Sequence, residues 1–320
     1  MPQGLFLGIE IGGTKLQLGV GRGDGTPIVE LQRAEVDQRR AADIRRQIEA
    51  VARPMIEKYA PRAVGFGFGG PVDAQAGRTV KSHQVEGWDD FPLAQWCRQT
   101  LGLPARLSND ADAAGVAEAR FGAGRKDRVV FYITVGSGIG GALMIGGQLY
   151  GGGRGIASEI GHLRPGLDAE EPERTVESAA SGFGLAAKAR AILNQRPTDP
   201  RAAALLRRCG AEPEHLSGRM VVEAAGEGDP LACEIFQRGL RTLGWAIAQV
   251  VTLVAPEVVV LGGGVPLAGE SLFFEPLRRE VARYVFPPLT GSYRLVGAEL
   301  GEEVVVHGAL AIAAELEPAP

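Results

Sequence analysis

Cysteine is scarce in this 320-residue chain. Cys97, Cys209 and Cys233 lie far apart and form no CxxC pair, which excludes a disulfide framework and points to a reducing cytoplasm. Long apolar runs are also lacking. The most apolar stretch, Leu243 to Ala255, is interrupted by Gln249 and is too short to span a bilayer. The first residues, MPQGLFLGIEIGGTK, have no basic region of the kind that opens a signal peptide, and polar chemistry starts by Glu10. Excess positive charge is missing too. The net charge of −4 argues against nucleic-acid binding as the main role. With 45% apolar and 22% charged residues the composition is that of a globular protein rather than a disordered one.

Glycine is what the chain has in excess, 46 residues and about twice ordinary usage. No Gly-X-Y period runs through it, so these glycines serve tight turns or close backbone approaches. Leu5–Ile11 reads as a buried strand and Lys15–Val20 as its hairpin partner, with Gly12-Gly13-Thr14 between them. Apolar positions at helical spacing (Ile44, Ile48, Val51, Met55, Ile56) predict an amphipathic helix over residues 38–60. Further strands are expected at Ala63–Phe68, Ala105–Leu107, Val129–Val135 and Val258–Leu261. Further helices are expected over 92–101, from Asn109–Asp110 to about Phe121, over 177–193 and 201–209, and at Glu234–Val254, Glu275–Tyr284 and Val304–Glu315. Gly122–Asp127 reads as a linker. Both halves open with a strand, a glycine-bearing turn and a second strand (IEIGGTKLQLGV and FYITVGSGIGGALMI), which suggests two α/β lobes gripping one polyanion.

Three glycine segments end apolar strands: Gly12–Lys15, Thr134–Gly141 and Gly262–Gly264. Without a Cβ, backbone N–H groups converge on phosphate oxygens. None of the three is a Walker A loop. Gly136-x-Gly138-x-x-Gly141 matches a dinucleotide fingerprint as text, but a hairpin pattern follows it where that fingerprint needs a helix. From spacing alone, Asp110 reads equally well as a general base and as a helix cap, a role that Asn109 could fill instead.

With GIEIGGTKLQLGV, GFGGPVD, EGWDDFPL, LSNDADAA, ITVGSGIGGALMIGGQLYGG, ASEIGH and VVVLGGGV in order, the chain resembles the ROK (repressor, open reading frame, kinase) family of sugar kinases over nearly its whole length. The resemblance implies a two-lobed actin-like ATPase (ribonuclease H-like) α/β fold with ligands in the interdomain cleft. The smaller lobe would hold residues 1–121 plus 303–320, and the larger one residues 122–302. It implies ATP-dependent phosphorylation of a hexose, most simply glucose at its 6-hydroxyl, with Asp110 as general base. ATP would be bound by Gly12, Gly13, Thr14, Lys15, Thr134, Gly136, Ser137, Gly138, Gly262, Gly263 and Gly264. The sugar would be bound by Gly70, Gln84, Asn109, Asp110, Glu159, His162 and Glu177. His162 outside ASEIGH would read as a core histidine, and Asp112 is at most a supporting carboxylate.

The chain departs from the family pattern at three places. Glu10 replaces the usual Asp; it would reach Mg²⁺ through water, or else be a strand-end acid facing solvent. Gln84 stands where an Asn is usual. Between His162 and Glu177 the usual zinc-binding CxCGxxGC module is replaced by the cysteine-free LRPGLDAEEPERTVE, so no structural zinc is expected. Fructose, allose and N-acetylated amino sugars remain alternative substrates. A non-catalytic sugar-binding regulator is the alternative class. A repressor would need a helix-turn-helix ahead of the first strand, which already starts by Leu5. The family also implies a homodimer or homotetramer.

Overall fold

The computed structural model describes residues 4–13, 15–36, 40–82, 85–151, 156–166, 171–195 and 200–316. In chain order the elements are β1 (Phe6–Ile11), β2 (Lys15–Gly21), β3 (Glu30–Glu35), α1 (Ala41–Tyr59), β4 (Val64–Phe68), β5 (Val72–Asp73), β6 (Arg78–Thr79), α2 (Leu93–Leu101), β7 (Ala105–Asn109) and α3 (Asp110–Arg120). There follow β8 (Val129–Val135), β9 (Ile139–Ile145), β10 (Gln148–Leu149), α4 (Val176–Ala180), α5 (Gly182–Gln195), α6 (Ala203–Arg208) and α7 (Gly218–Gly226). The chain continues through α8 (Pro230–Val254), β11 (Val258–Gly262), α9 (Glu275–Tyr284), β12 (Arg294–Gly297) and α10 (Val304–Ala314). They form two compact units: Met1–Arg128 with Ala142–Ala157 and Glu299–Pro320, and Val129–Gly141 with Ser158–Ala298.

The two sheets follow one scheme. The first has the order β3-β2-β1-β4-β7 and the second β10-β9-β8-β11-β12. In the first, β1 pairs antiparallel with β2 and parallel with β4, and β4 is parallel to β7. In the second, β11 is parallel to both β8 and β12. The echo between the opening motifs of the two halves therefore extends to whole sheets.

Every residue of β1 is buried, because both faces of the first sheet are covered. Side chains alternate along a strand. Leu7, Ile9 and Ile11 join a core with Ile44, Ile48 and Met55 of α1. Phe6 packs with Val306 and Leu310 of α10. Gly8 and Glu10 share that second face, where a Cβ on Gly8 would lie 2.8 Å from the Val306 carbonyl oxygen. On β4, a Cβ on Gly65 would lie 1.8 Å from the Ala309 oxygen, and on α10 a Cβ on Gly308 would lie 1.8 Å from the Ala113 oxygen of α3. The helix thus touches sheet and neighbour backbone to backbone, which only glycine permits.

Several elements differ from those read in the sequence. Helix α8 starts at Pro230 rather than Glu234, because the Asp229 side chain accepts the Ala232 N–H at 2.8 Å and proline suits the first helical position. The helix expected over 177–193 breaks at Ser181, whose backbone is extended and whose Oγ accepts the Gly184 N–H. Strand β7 runs two residues beyond Leu107 to Asn109. Strands β3 and β12 and helix α7 have no counterpart in the sequence reading. Strand β3, ELQRAE, lacks the apolar alternation that marks a half-buried strand. Between β9 and β10, Gly146 and Gly147 both have positive φ, the requirement of a two-residue type I′ hairpin turn.

Replacing Gly65 by Ala should force α10 off β4 and cost about 2 kcal/mol or more. The check is the midpoint of denaturant unfolding followed on the first unit; a shift of less than about 0.5 kcal/mol would show that the contact can give way.

Candidate active site

Parallel pairing sets the first group of residues side by side. Ile11 of β1, Phe68 of β4 and Asn109 of β7 are in register at the carboxyl ends of their strands. Ligands of open α/β sheets bind at such ends. Each strand runs there into a residue group singled out in the sequence: Gly12-Gly13, Gly69-Gly70 and Asp110. The Gly12 N–H donates to the Lys15 carbonyl at 2.9 Å, and the Gly69 N–H to the Ile11 carbonyl at 2.8 Å. A Cβ on Gly69 would lie 3.2 Å from the Ile11 oxygen and 3.7 Å from Asp110 Oδ2. The Asp110 carboxylate therefore borders the first glycine turn. Gly70 is held close as well, since a Cβ there would lie 2.7 Å from the Lys81 oxygen.

Asn109 is the cap of α3. Its Oδ1 accepts the Asp112 N–H at 2.5 Å, while Asp110 Oδ1 accepts the N–H of Ala111 at 2.9 Å. Both residues are half-buried.

Glu10 does not face solvent. It is 5% exposed, with its carboxylate 3.1 Å from Lys15 Nζ and accepting from Gln17 Nε2 at 2.6 Å. Burial raises its pKa, and Lys15 and Gln17 counter that rise. Arg33 in turn donates to Gln17 Oε1 at 2.9 Å and pairs with Glu303. Gln17 and Arg33 were not singled out in the sequence, because Glu10, Gln17 and Arg33 stand on three strands and become neighbours only once those strands pair. Thr14 and Gln84 lie outside the described residues.

The second unit carries the other two glycine turns next to each other. Thr134 of β8 pairs with Gly262 of β11. The Gly136 N–H donates to the Gly138 carbonyl at 2.9 Å, and the Val265 N–H to the Val135 carbonyl at 2.9 Å. Gly263 has a φ of 92°, and a Cβ there would lie 2.5 Å from the Val135 oxygen. Helix α5 opens on the same turn: the N–H groups of Gly182 and Phe183 donate to the carbonyls of Gly136 and Ser137 at 2.8 and 3.2 Å. Gly182 was not among the residues singled out, although its position in ESAASGFG was the available signal.

Against this turn lies the acidic group. Glu177, on α4, accepts the Ile139 N–H through Oε2 at 2.7 Å, and that oxygen fills the space where a Cβ on Gly138 would sit. Glu159 precedes a 3-10 turn, Ile160–His162, whose Gly161 presses on the Ile139 carbonyl. Burial raises the pKa of Glu159; His162 lowers it and Glu177 raises it further. His162 and Glu177 each thus lie close enough to Glu159 to act on it electrostatically. Two acidic groups and an imidazole beside a backbone turn suit recognition of a polyhydroxyl ligand, which needs converging acceptors and donors.

A carboxylate beside one glycine turn, and two acidic side chains with an imidazole beside another, suit a sugar kinase on the two-lobed actin-like ATPase fold, the class that similarity to known proteins shows. The sequence model of the ROK family matches residues 6–316, and the chain belongs to that family. It is 30% identical to the glucokinase of Thermotoga maritima over 319 residues, which cover 98% of this chain and 99% of that protein. Among solved structures it is similar to a ROK family glucokinase from Streptomyces griseus in complex with glucose and AMPPNP. That likeness has a TM-score of 0.82 at 32% identity and covers 98% of this chain and 100% of the other. It is similar also to a ROK hexokinase from Thermus thermophilus, with a TM-score of 0.77 at 29% identity over 98% of each chain.

Among the described residues no group of three or more His, Cys, Asp or Glu is placed to hold a metal ion. Residues 167–170, within the segment that replaces the cysteine module, lie outside the described residues. Plasma emission analysis of the purified protein should find well under one zinc per chain; about one per chain would overturn the expectation of no structural zinc.

Proposed function

We propose that the protein transfers the γ-phosphate of ATP to the 6-hydroxyl of glucose, with Asp110 as general base. The observation that carries this is the Asp110 carboxylate, half-buried beside Gly69 at the strand ends that lead into the first glycine turn. The names of the similar proteins, glucokinases and a hexokinase, and the glucose and AMPPNP in one of them support the choice of sugar and donor.

In this reading Asp110 accepts the proton of the attacking hydroxyl as the new O–P bond forms and the bond to the β-phosphate breaks, releasing ADP. Gly70, Gln84, Asn109, Glu159, His162 and Glu177 hold the other hydroxyls, so that the reacting oxygen meets the phosphorus in line. The turns at Gly12–Lys15 and Thr134–Gly138 offer N–H groups to the phosphates, Lys15 adds positive charge, and Gly262–Gly264 lie beside the adenosine. Mg²⁺ accompanies ATP and neutralises part of the phosphate charge. A hard carboxylate oxygen next to the first glycine turn fits it, and Glu10, already engaged by Lys15 and Gln17, would touch it through water. The enzyme would act in the cytoplasm as a homodimer or homotetramer; the free cysteines Cys97, Cys209 and Cys233 suit a reducing compartment.

The test is initial rates with ATP and a panel of glucose, mannose, fructose, N-acetylglucosamine and N-acetylmannosamine. Glucose should give the highest kcat/KM. A higher value for another sugar would reassign the substrate, and no turnover with any, alongside sugar binding, would make the protein a regulator. Asp110→Ala should lower kcat by about 10³-fold or more while glucose binding, measured by calorimetry without ATP, stays within a few-fold. A variant that keeps a tenth of the turnover would remove Asp110 from the role of base.

A pH dependence follows from Glu159. Its carboxyl group accepts sugar hydroxyls more strongly when ionised, and burial raises its pKa, so kcat/KM should fall on acidification at a pH above the ordinary glutamate range. Glu159→Gln should weaken sugar binding and flatten that acid limb. An unchanged limb in the variant would assign it to another group.

A further inference from the structure

Glu118 is the one acidic side chain of the first unit with no exposed surface among the described residues, and the reaction proposed above does not use it. It lies on α3, the helix that starts at Asp110. Its Oε2 accepts the N–H of Ala123 at 2.8 Å and its Oε1 accepts the N–H of Leu300 at 2.8 Å. These two residues are 177 positions apart in the chain. The chain first passes from the first unit to the second after Arg128, and passes back for the last time at Glu299. One carboxylate thus holds the segment leading out and the segment leading back.

The surrounding contacts reinforce this. The backbone oxygen of Glu118 accepts the N–H groups of Gly122 and Gly124 at 3.1 and 3.0 Å. Arg125 donates to the Gly122 carbonyl at 2.7 Å and pairs with Glu299, a second link between the same two segments. Gly122 lies so close that a Cβ there would come within 2.1 Å of Glu118 Oε2. No Lys or Arg pairs with Glu118 among the described residues, and the neighbouring His307 of α10 is held toward its neutral form by burial. Each of its two oxygens thus serves one of these N–H groups. Glutamine in its place would accept one N–H and turn its own NH₂ toward the other.

We propose that Glu118 is a positioning residue that fastens the outgoing and returning segments to the helix carrying Asp110, so that both move with that residue as one body. Its effect on turnover rests on the phosphoryl-transfer reading above, since in-line transfer tolerates little displacement of the base; the fastening itself does not.

Hydrogen exchange on the full chain, read by mass spectrometry, tests it in the wild type, Glu118→Gln and Gly122→Ala. In the wild type, the amides of Ala123 and Leu300 should open with protection equal to within about threefold, as groups sharing one latch do. In both variants, residues 121–125 and 299–301 should exchange about tenfold or more faster together, while β1 and β4 are unchanged. In the same proteins kcat should fall about tenfold or more, with sugar affinity measured without ATP unchanged to within about threefold. Unequal wild-type protection, or release of 121–125 alone, would show that the two segments are not joined through the carboxylate. Release of both with wild-type kcat would remove the positioning role. A wild type that turns over no hexose would sink the kinase reading, and the exchange results would still decide the fastening.

Discussion

The backbone contact of α10 with β1, β4 and α3 is the constraint on which the first unit depends. Gly8, Gly65 and Gly308 let carbonyl oxygens come within the distance of an absent Cβ, so the helix lies flat on the sheet and against α3 at once. This fixes where α3 begins relative to β1 and β4. It thereby aligns Asp110 with the turns that follow Ile11 and Phe68. The carboxylate and the first glycine turn owe their proximity to strand register and to this packing, not to closeness in sequence.

The second sheet uses the same strand scheme to a different end. Its two central parallel strands, β8 and β11, bring two glycine turns together in place of a turn and a carboxylate. The acidic group then gathers around Gly138 and Ile139 because Gly138 and Gly161 leave room for Glu177 and for the 3-10 turn after Glu159. A repeated architecture thus supplies different chemistry in each copy, according to which side chains stand at the strand ends.

Most of the central strands and long helices were legible in the sequence, because their apolar spacing is strong and glycine or an N-cap marks their ends. The misses share a cause. Strand β3 is polar and exists through pairing with β2, β12 is only four residues long, and Ser181 splits a helix by a local hydrogen bond that periodicity does not register. Of the site, the motifs were legible but not their internal bonding. Asn109 and Asp110 were interchangeable as caps until the Asn109–Asp112 bond separated them. Glu10 could have faced water until burial and Lys15 showed otherwise.

The sequence by itself determined the globular α/β character, the order of strand-and-turn motifs and the residue types available for phosphate and hydroxyl recognition. These depend on local spacing, on glycine and on charge, all of which can be read along the chain. Only the tertiary structure decided which of those residues are neighbours: Gln17 with Glu10, Glu177 with Gly138, and Glu118 with two segments far apart in the chain. Such pairs form when strands register and helices pack, and a linear pattern carries no record of the partner.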